Sequence, residues 1–488
     1  MSKRTLISAS MALTALLLAG CASVPQPADP IPAPVREAMK AQGLPAESLA
    51  FVAFPLEDAQ NASARRAWQP DLSVRPASTM KVLTGIVALD RLGPNWRGRV
   101  ELLAGGAVKD GVLDGPLVLS GMAHAAFDWG ALSTLLREAR DGGLREVRGG
   151  LVIDRTHFRP AREDVGLPPF DEAPEFPYNV IPDALLLGGN LLQLQMQSDA
   201  QQLQARWNPA WQGLVVDASK VQIDPALRCA QWEEGWKPAT VAADAGAVTV
   251  RLNGRFPANC RHVQALQLID RSVLAAQAVR QIWTELGGCL DGEVREAAAP
   301  EGSRVLASHQ APPLAEWLRG AMKRSDNALT RLAFLQVGSV HAQAAQFPST
   351  RAAADAQVRD WLRTHGIADA SLVTDNGSGL SRSERLSPAL LAAAIQVALT
   401  KPYAPELVAG LPLAGVDGTL SRRLRGTAAE ANGRLKTGTL RDAVGLAGTL
   451  KDARGRLWVV AAHVNHDQAA RKGRPVLDAL MAHLAASQ

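Results

Sequence analysis

The chain has 488 residues, 47% of them hydrophobic and 20% charged, with 52 Lys and Arg against 47 Asp and Glu. That balance excludes a disordered chain and a membrane-embedded one, and a net charge of +5 with no basic run excludes a nucleic-acid packaging protein. At roughly 150 residues per domain, the length predicts about three domains.

Lys3 and Arg4 precede an uncharged, mostly apolar stretch from Thr5 to Gly20. It is short for a bilayer span, and its basic start and small-residue end read as a secretory signal over residues 1–20. The segment closes on Leu18-Ala19-Gly20-Cys21, which resembles a bacterial lipobox. That resemblance implies cleavage before Cys21 and lipidation of its thiol; the alternative is a plain signal peptide cut nearby. Prolines 25, 27, 30, 32 and 34 then predict a semi-extended tether over residues 21–36, outside any core. The expected location is periplasmic, with a lipid anchor as the only membrane attachment.

From Ser78 the chain reads Ser-Thr-Met-Lys-Val-Leu-Thr-Gly-Ile-Val-Ala-Leu-Asp. Met80, Leu83 and Val87 form one apolar stripe, and Val82, Ile86 and Leu89 another, so the spacing predicts a central helix buried on two faces. Residues 99–270 alternate short strand-like runs with Gly- and Pro-rich turns, which predicts a β-rich insertion. Within it, Cys229 and Cys260 are the favoured disulfide pair in an oxidising compartment; Cys289 is left over and expected to be buried. Helical periodicity returns at 272–286, 313–337, 351–364 and 387–399. Strands are predicted at 443–450 and 457–464, and a last helix at 474–486. His463 and His466 follow the apolar run 457–462, so a strand end is preferred to a metal site. The outline is an α/β domain, residues 37–98 and 271–488, interrupted by an inserted β-rich region over 99–270.

Three short motifs carry the chemistry. Ser78 and Lys81 are three apart, so on a helix their heads can meet. A serine hydroxyl needs a base, and a lysine serves as one only where burial and positive neighbours lower its pKa. Ser325-Asp326-Asn327 would by itself mark only a helix start. Lys436-Thr437-Gly438-Thr439 precedes a predicted hairpin and offers a sheet edge on which a peptide could add. Each is weak alone. In the order Ser-x-x-Lys, Ser-x-Asn, Lys-Thr-Gly they form the set of penicillin-binding proteins and class A β-lactamases. Two of only eleven lysines fall in it.

With these motifs the chain resembles the penicillin-binding D-alanyl-D-alanine carboxypeptidases/endopeptidases of peptidase family S13. Residues 177–179, 182–186, 375–382 and 411–420 resemble further segments of that family, and the 243 residues between Lys81 and Ser325 match its large insertion. Gly121-Met122-Ala123-His124 departs from the family's usual turn, which leaves the local geometry of the insert open. The resemblance implies a transpeptidase-like α/β fold and a serine DD-peptidase acting on stem peptides or cross-links of peptidoglycan, with no metal or cofactor. It implies Ser78 as nucleophile, Lys81 as base, and Ser325 as relay between Lys81 and Lys436. Asn327 would orient the substrate and Lys81. Lys436, Thr437 and Thr439 would bind the terminal carboxylate, with Gly438 allowing close approach and the Ser78 and Thr439 N–H groups forming the oxyanion hole. β-Lactams would be covalent inhibitors. Asp154, ending a strand of the insert, is a candidate to meet a basic side chain of the stem peptide. A serine β-lactamase and a non-catalytic peptidoglycan-binding lipoprotein are the rival readings. The first lacks a deacylating Glu-x-x-Leu-Asn segment: Glu384, Glu406 and Glu430 all stand in other contexts.

Overall fold

The computed structural model describes residues 30–244 and 247–488; the expected signal segment, Cys21 and most of the expected tether lie outside the described residues. The α/β domain is built on an antiparallel sheet in the order 433–440, 443–451, 457–465, 49–55, 66–68. Strand Leu49–Pro55 is buried along its whole length because the sheet is covered on both sides. Its side chains alternate between two cores. Phe51 and Ala53 join Val35, Met39, Leu477 and Leu480 of the terminal helices Ala33–Gln42 and Ala469–Ala485. Val52 and Phe54 join Val82, Ile86, Leu391 and Ile395 of helices Met80–Leu92 and Pro388–Ala398.

Four expectations change. The tether ends earlier than 36: Ile31 and Val35 belong to the core, and Pro32 and Pro34 sit at the start of the first helix, where a missing N–H costs nothing. The helical pattern at 313–337 is two helices, Leu314–Arg324 and Asn327–Ser339. Ser325 adopts a left-handed conformation (φ 61°) that stops the first, and the Asp326 carboxylate caps the second through the Leu329 N–H at 2.9 Å. The apolar period runs on across the break, which hid it. Cys289 is exposed rather than buried.

The insert, finally, runs past 270. Strands Arg304–Gln310 and Val294–Glu296 form the two edges of a sheet whose inner strands are Arg99–Ala104, Leu117–Met122 and Leu151–Asp154. Helix Arg271–Glu285 buries Leu274, Val279 and Trp283 in the same core. Strand pairing therefore carries the insert to Gln310; helical texture after 270 had suggested an earlier return. Chain exit and return are neighbours, since the Ala311 N–H donates to the Gly98 carbonyl at 2.8 Å. Cys229 and Cys260 are joined by a disulfide with Cα atoms 5.5 Å apart.

Candidate active site

Pro76 leads into a single tight turn, Ala77–Thr79, that feeds helix Met80–Leu92. Ala77 is left-handed (φ 46°), a costly conformation for a residue with a Cβ, and it sets the Ser78 hydroxyl at the head of the helix. Thr79 fixes the turn by donating to the Pro76 carbonyl at 2.7 Å and by its 2.9 Å hydrogen bond with His463. His463 is thus a buried support for the turn, and burial lowers its pKa to about 3. His466 instead accepts from the Gln468 N–H at the last helix.

Lys81 lies one turn further on, completely buried. Its Nζ is 3.1 Å from Ser78 Oγ, 2.7 Å from Asn327 Oδ1 and 2.5 Å from the Ser378 carbonyl. Burial lowers its pKa to about 7, helped by Arg331 and opposed by Glu384 and Asp326. In the neutral amine, two N–H bonds serve Asn327 and Ser378, which leaves the lone pair directed at the Ser78 proton. Burial and a positive neighbour are what the sequence requires of a lysine base, although the neighbour, Arg331, was not foreseen.

Asn327, the first residue of its helix, holds Lys81 with its carbonyl oxygen and donates through Nδ2 to the Tyr178 carbonyl at 2.9 Å. The family-like segment 177–179 thereby reaches the site from the insert. Lys436 is also fully buried, on strand Gly433–Leu440. Its Nζ donates to Ser325 Oγ at 2.8 Å and to the Thr437 carbonyl at 2.9 Å. Burial and the nearby Lys81 hold its pKa well below the usual lysine range. Ser325 thus pairs with Lys436, while Lys81 bonds to Asn327 and Ser378.

Strand Gly433–Leu440 runs beside the Ser78 turn at Gly438, where a Cβ would stand 2.8 Å from the Pro76 carbonyl and 3.0 Å from Ser78 N. Ser78, Ser325, Thr437 and Thr439 line one cleft of about 360 Å³, together with Thr419, Arg423 and Arg474. Thr437 donates to Thr419 Oγ1 at 2.7 Å. Lys323 braces the Thr419 segment by donating to Asp417 at 2.7 Å and to the Leu411 carbonyl at 2.7 Å. Arg423 is held by Asp478 at 2.6 Å.

Segment 375–382 borders the site as a turn: its Ser378 carbonyl meets Lys81, and Gly379 packs so closely on the Ala77 carbonyl that a Cβ would collide with it. Asp154 does not join the cleft. It is buried in the insert's sheet and accepts from Thr156 N–H, Thr156 Oγ1 and Ala299 N–H at 2.9, 2.7 and 3.1 Å, so its charge serves the fold. Thr419, Arg423, Arg474, Arg331 and Glu384 escaped the sequence reading as contributors. Their traces were the resemblance of segment 411–420, which contains Thr419, and Glu384 as a glutamate outside any deacylating context.

The profile of the D-Ala-D-Ala carboxypeptidase 3 (S13) family matches residues 33–484. The chain is 27% identical over 406 residues to the D-alanyl-D-alanine carboxypeptidase DacB of Haemophilus influenzae, covering 80% of each chain. It is 29% identical over 431 residues to a D-alanyl-D-alanine carboxypeptidase of Actinomadura sp., covering 84% of this chain and 76% of the relative. The fold is similar to the crystal structure of penicillin binding protein 4 (dacB) from Haemophilus influenzae, with a TM-score of 0.76 at 23% identity over 93% of this chain and 99% of the other.

Proposed function

The chain belongs to the D-Ala-D-Ala carboxypeptidase 3 (S13) family, and from that membership and the geometry around Ser78 we propose how its residues divide the work. It is a serine DD-peptidase. Ser78 Oγ attacks the carbonyl carbon between two D-alanines while its proton passes to the Lys81 lone pair. The N–H groups of Ser78 and Thr439 receive the developing oxyanion, a contribution of about 3–4 kcal/mol per donor in comparable sites. Ser325, hydrogen-bonded to Lys436, delivers its proton to the leaving amine and is reprotonated by the proton that Lys81 took from Ser78, and the C–N bond breaks to leave an ester on Ser78. Water then adds to the ester while Lys81, neutral again, takes its proton and passes it to Ser78 Oγ as the ester C–O bond breaks, which releases the shortened peptide and restores the serine. Lys436, Thr437 and Thr439 bind the carboxylate of the departing residue, and Arg423 and Arg474 add positive charge at the cleft.

The observation that carries this reading is the Lys81 amine, buried, 3.1 Å from Ser78 Oγ and already hydrogen-bonded through its other positions. The same site would accept D-alanyl cross-links of peptidoglycan and would be acylated by β-lactams. Persistence of that acyl group is supported by Glu384, whose two oxygens are occupied by backbone N–H groups, so it is not placed to activate a hydrolytic water as in a β-lactamase. The basic start, apolar stretch and Cys21 support a periplasmic lipoprotein.

Intact-mass measurement of the soluble form from Ala22 with benzylpenicillin tests the reading. The expected result is an adduct of one drug mass, absent in Ser78→Ala and slow to disappear. An unmodified protein with destroyed drug would establish a β-lactamase instead; an unmodified protein with intact drug would favour a binding protein. Palmitate labelling of the full chain, lost in Cys21→Ala, tests the anchor.

A further inference from the structure

Glu384 is completely buried, and its carboxylate is wholly engaged by one turn. Oε1 accepts the N–H groups of Asp375, Asn376 and Gly377 at 3.3, 3.0 and 2.6 Å, and Oε2 accepts that of Gly379 at 2.7 Å. Four donors aimed at both oxygens suit the ionised form, while burial pushes the group the other way. The residue skipped by this clasp is Ser378, whose carbonyl faces outward to Lys81 Nζ at 2.5 Å. Thr84, on the helix that carries Lys81, ties down the same turn by donating to the Gly377 carbonyl at 2.6 Å.

We propose that Glu384 is a positioning residue for the Ser78–Lys81 pair: by clasping turn 375–379 it aims the Ser378 carbonyl at the lysine amine and sets a negative charge behind it. The inference rests on the reading of Lys81 as general base. The carbonyl fixes which way the amine's lone pair points. The charge offsets part of the desolvation that would otherwise depress the lysine further. The charged groups acting on this environment include Asp375 in the turn itself, Asp326 capping helix Asn327–Ser339, Arg331 within that helix together with the Glu163 that faces it, and Lys436 on its strand. Asp326 acts in the same direction as Glu384, and Arg331 in the opposite one.

The test is the pH dependence of Ser78 acylation by benzylpenicillin in Glu384→Gln, Glu384→Asp and the unaltered protein. In Glu384→Gln an NH₂ group must face N–H donors, so the turn loosens and the charge is gone. Acylation at neutral pH is expected to fall by about 10- to 100-fold. Its acid limb moves to lower pH, because a negative charge that favoured the protonated lysine has been removed. Glu384→Asp keeps the charge and is expected to leave the limb in place at an intermediate rate. A Glu384→Gln profile superimposable on that of the unaltered protein overturns the inference. Should Glu384→Gln fail to fold, Thr84→Val decides the positioning part, since it cuts the other tie to the turn without altering charge. Slower acylation with an unmoved limb supports positioning; an unchanged rate overturns it. Failure of the unaltered protein to be acylated would instead remove the reading of Lys81 and Ser78 on which the inference rests.

Discussion

Lys436 Nζ stands 2.8 Å from Ser325 Oγ, a contact that joins the strand Gly433–Leu440 to the left-handed break between two helices. The two residues are 111 positions apart, and the lysine has no exposed surface. Lys436→Met would leave the Ser325 hydroxyl and the Thr437 carbonyl without their donor and remove the charge proposed to meet the substrate carboxylate. The expected loss is about 10²- to 10³-fold in kcat/KM for D-alanine release from a D-Ala-D-Ala peptide. Lys436→Arg should not restore it, because a fork of five donors cannot fill the fully buried space of an ammonium. Retention of near-normal turnover by either variant would contradict the role.

With Lys81 as the proposed base, the acid limb of activity is expected to follow its titration. Its pKa, lowered to about 7 by burial, means that the neutral amine predominates only above that pH, so acylation of Ser78 should rise through a midpoint of about 7. A profile flat through that region would rule the lysine out as base.

The same lysine costs stability. Its folded pKa lies below the value of 10.5 it has when exposed, so between about 7 and 10.5 the unfolded chain binds more protons than the folded one. Stability therefore gains from this group as pH rises across that window, and the full penalty applies below it. Lys81→Met should abolish acylation while raising stability at neutral pH by roughly 1–4 kcal/mol, as for other buried charges replaced by apolar groups. Thermal melts of the two proteins settle it; a lower melting temperature for Lys81→Met would contradict the account.

Gly438→Ala tests the approach of strand to nucleophile. The added methyl would press on the Pro76 carbonyl and Ser78 N, the backbone of the turn that holds the hydroxyl. Acylation is expected to fall by about 100-fold, with a smaller effect on the melting temperature than a core truncation would have. Equal acylation rates in the two proteins would show that the turn yields freely.

The Cys229–Cys260 disulfide closes a loop of 31 residues within the insert. Cys260→Ser should destabilise that region by about 3–4 kcal/mol in the chain-entropy model, yet leave acylation intact below its melting transition. In the soluble form Cys289 should be the one thiol that reacts with a thiol reagent before denaturation, because it is exposed and unpaired. More than one equivalent titrated without reductant would mean that the bridge is absent.

The grouping of Ser78, Lys81 and the Lys-Thr-Gly strand was legible because it resides in side chains at fixed spacings: Ser78 and Lys81 share a helix face, and Thr437 and Thr439 share a strand face. Glu384 was visible only as a glutamate in the wrong context for deacylation. Its partners are backbone N–H groups of a turn, and no side-chain period records those. Arg331 looked like an ordinary helix residue, since only the packing of helix Asn327–Ser339 against its neighbours buries it. The limit of the insert was misplaced for a related reason. Strand Arg304–Gln310 pairs with Arg99–Ala104 across two hundred residues, and register over that distance leaves no local mark.

The hydrogen bond at the insert's neck, from Ala311 N–H to the Gly98 carbonyl, makes the insert topologically a loop tied off at its base. Its closest chemical link to the reaction lies elsewhere, in the Asn327 amide, which grips the Tyr178 carbonyl with one end and Lys81 with the other. A substitution that shifts the backbone near Tyr178 is thus two hydrogen bonds from the base, however far along the chain it lies. The single amide ties an appended domain to the lysine proposed as the base.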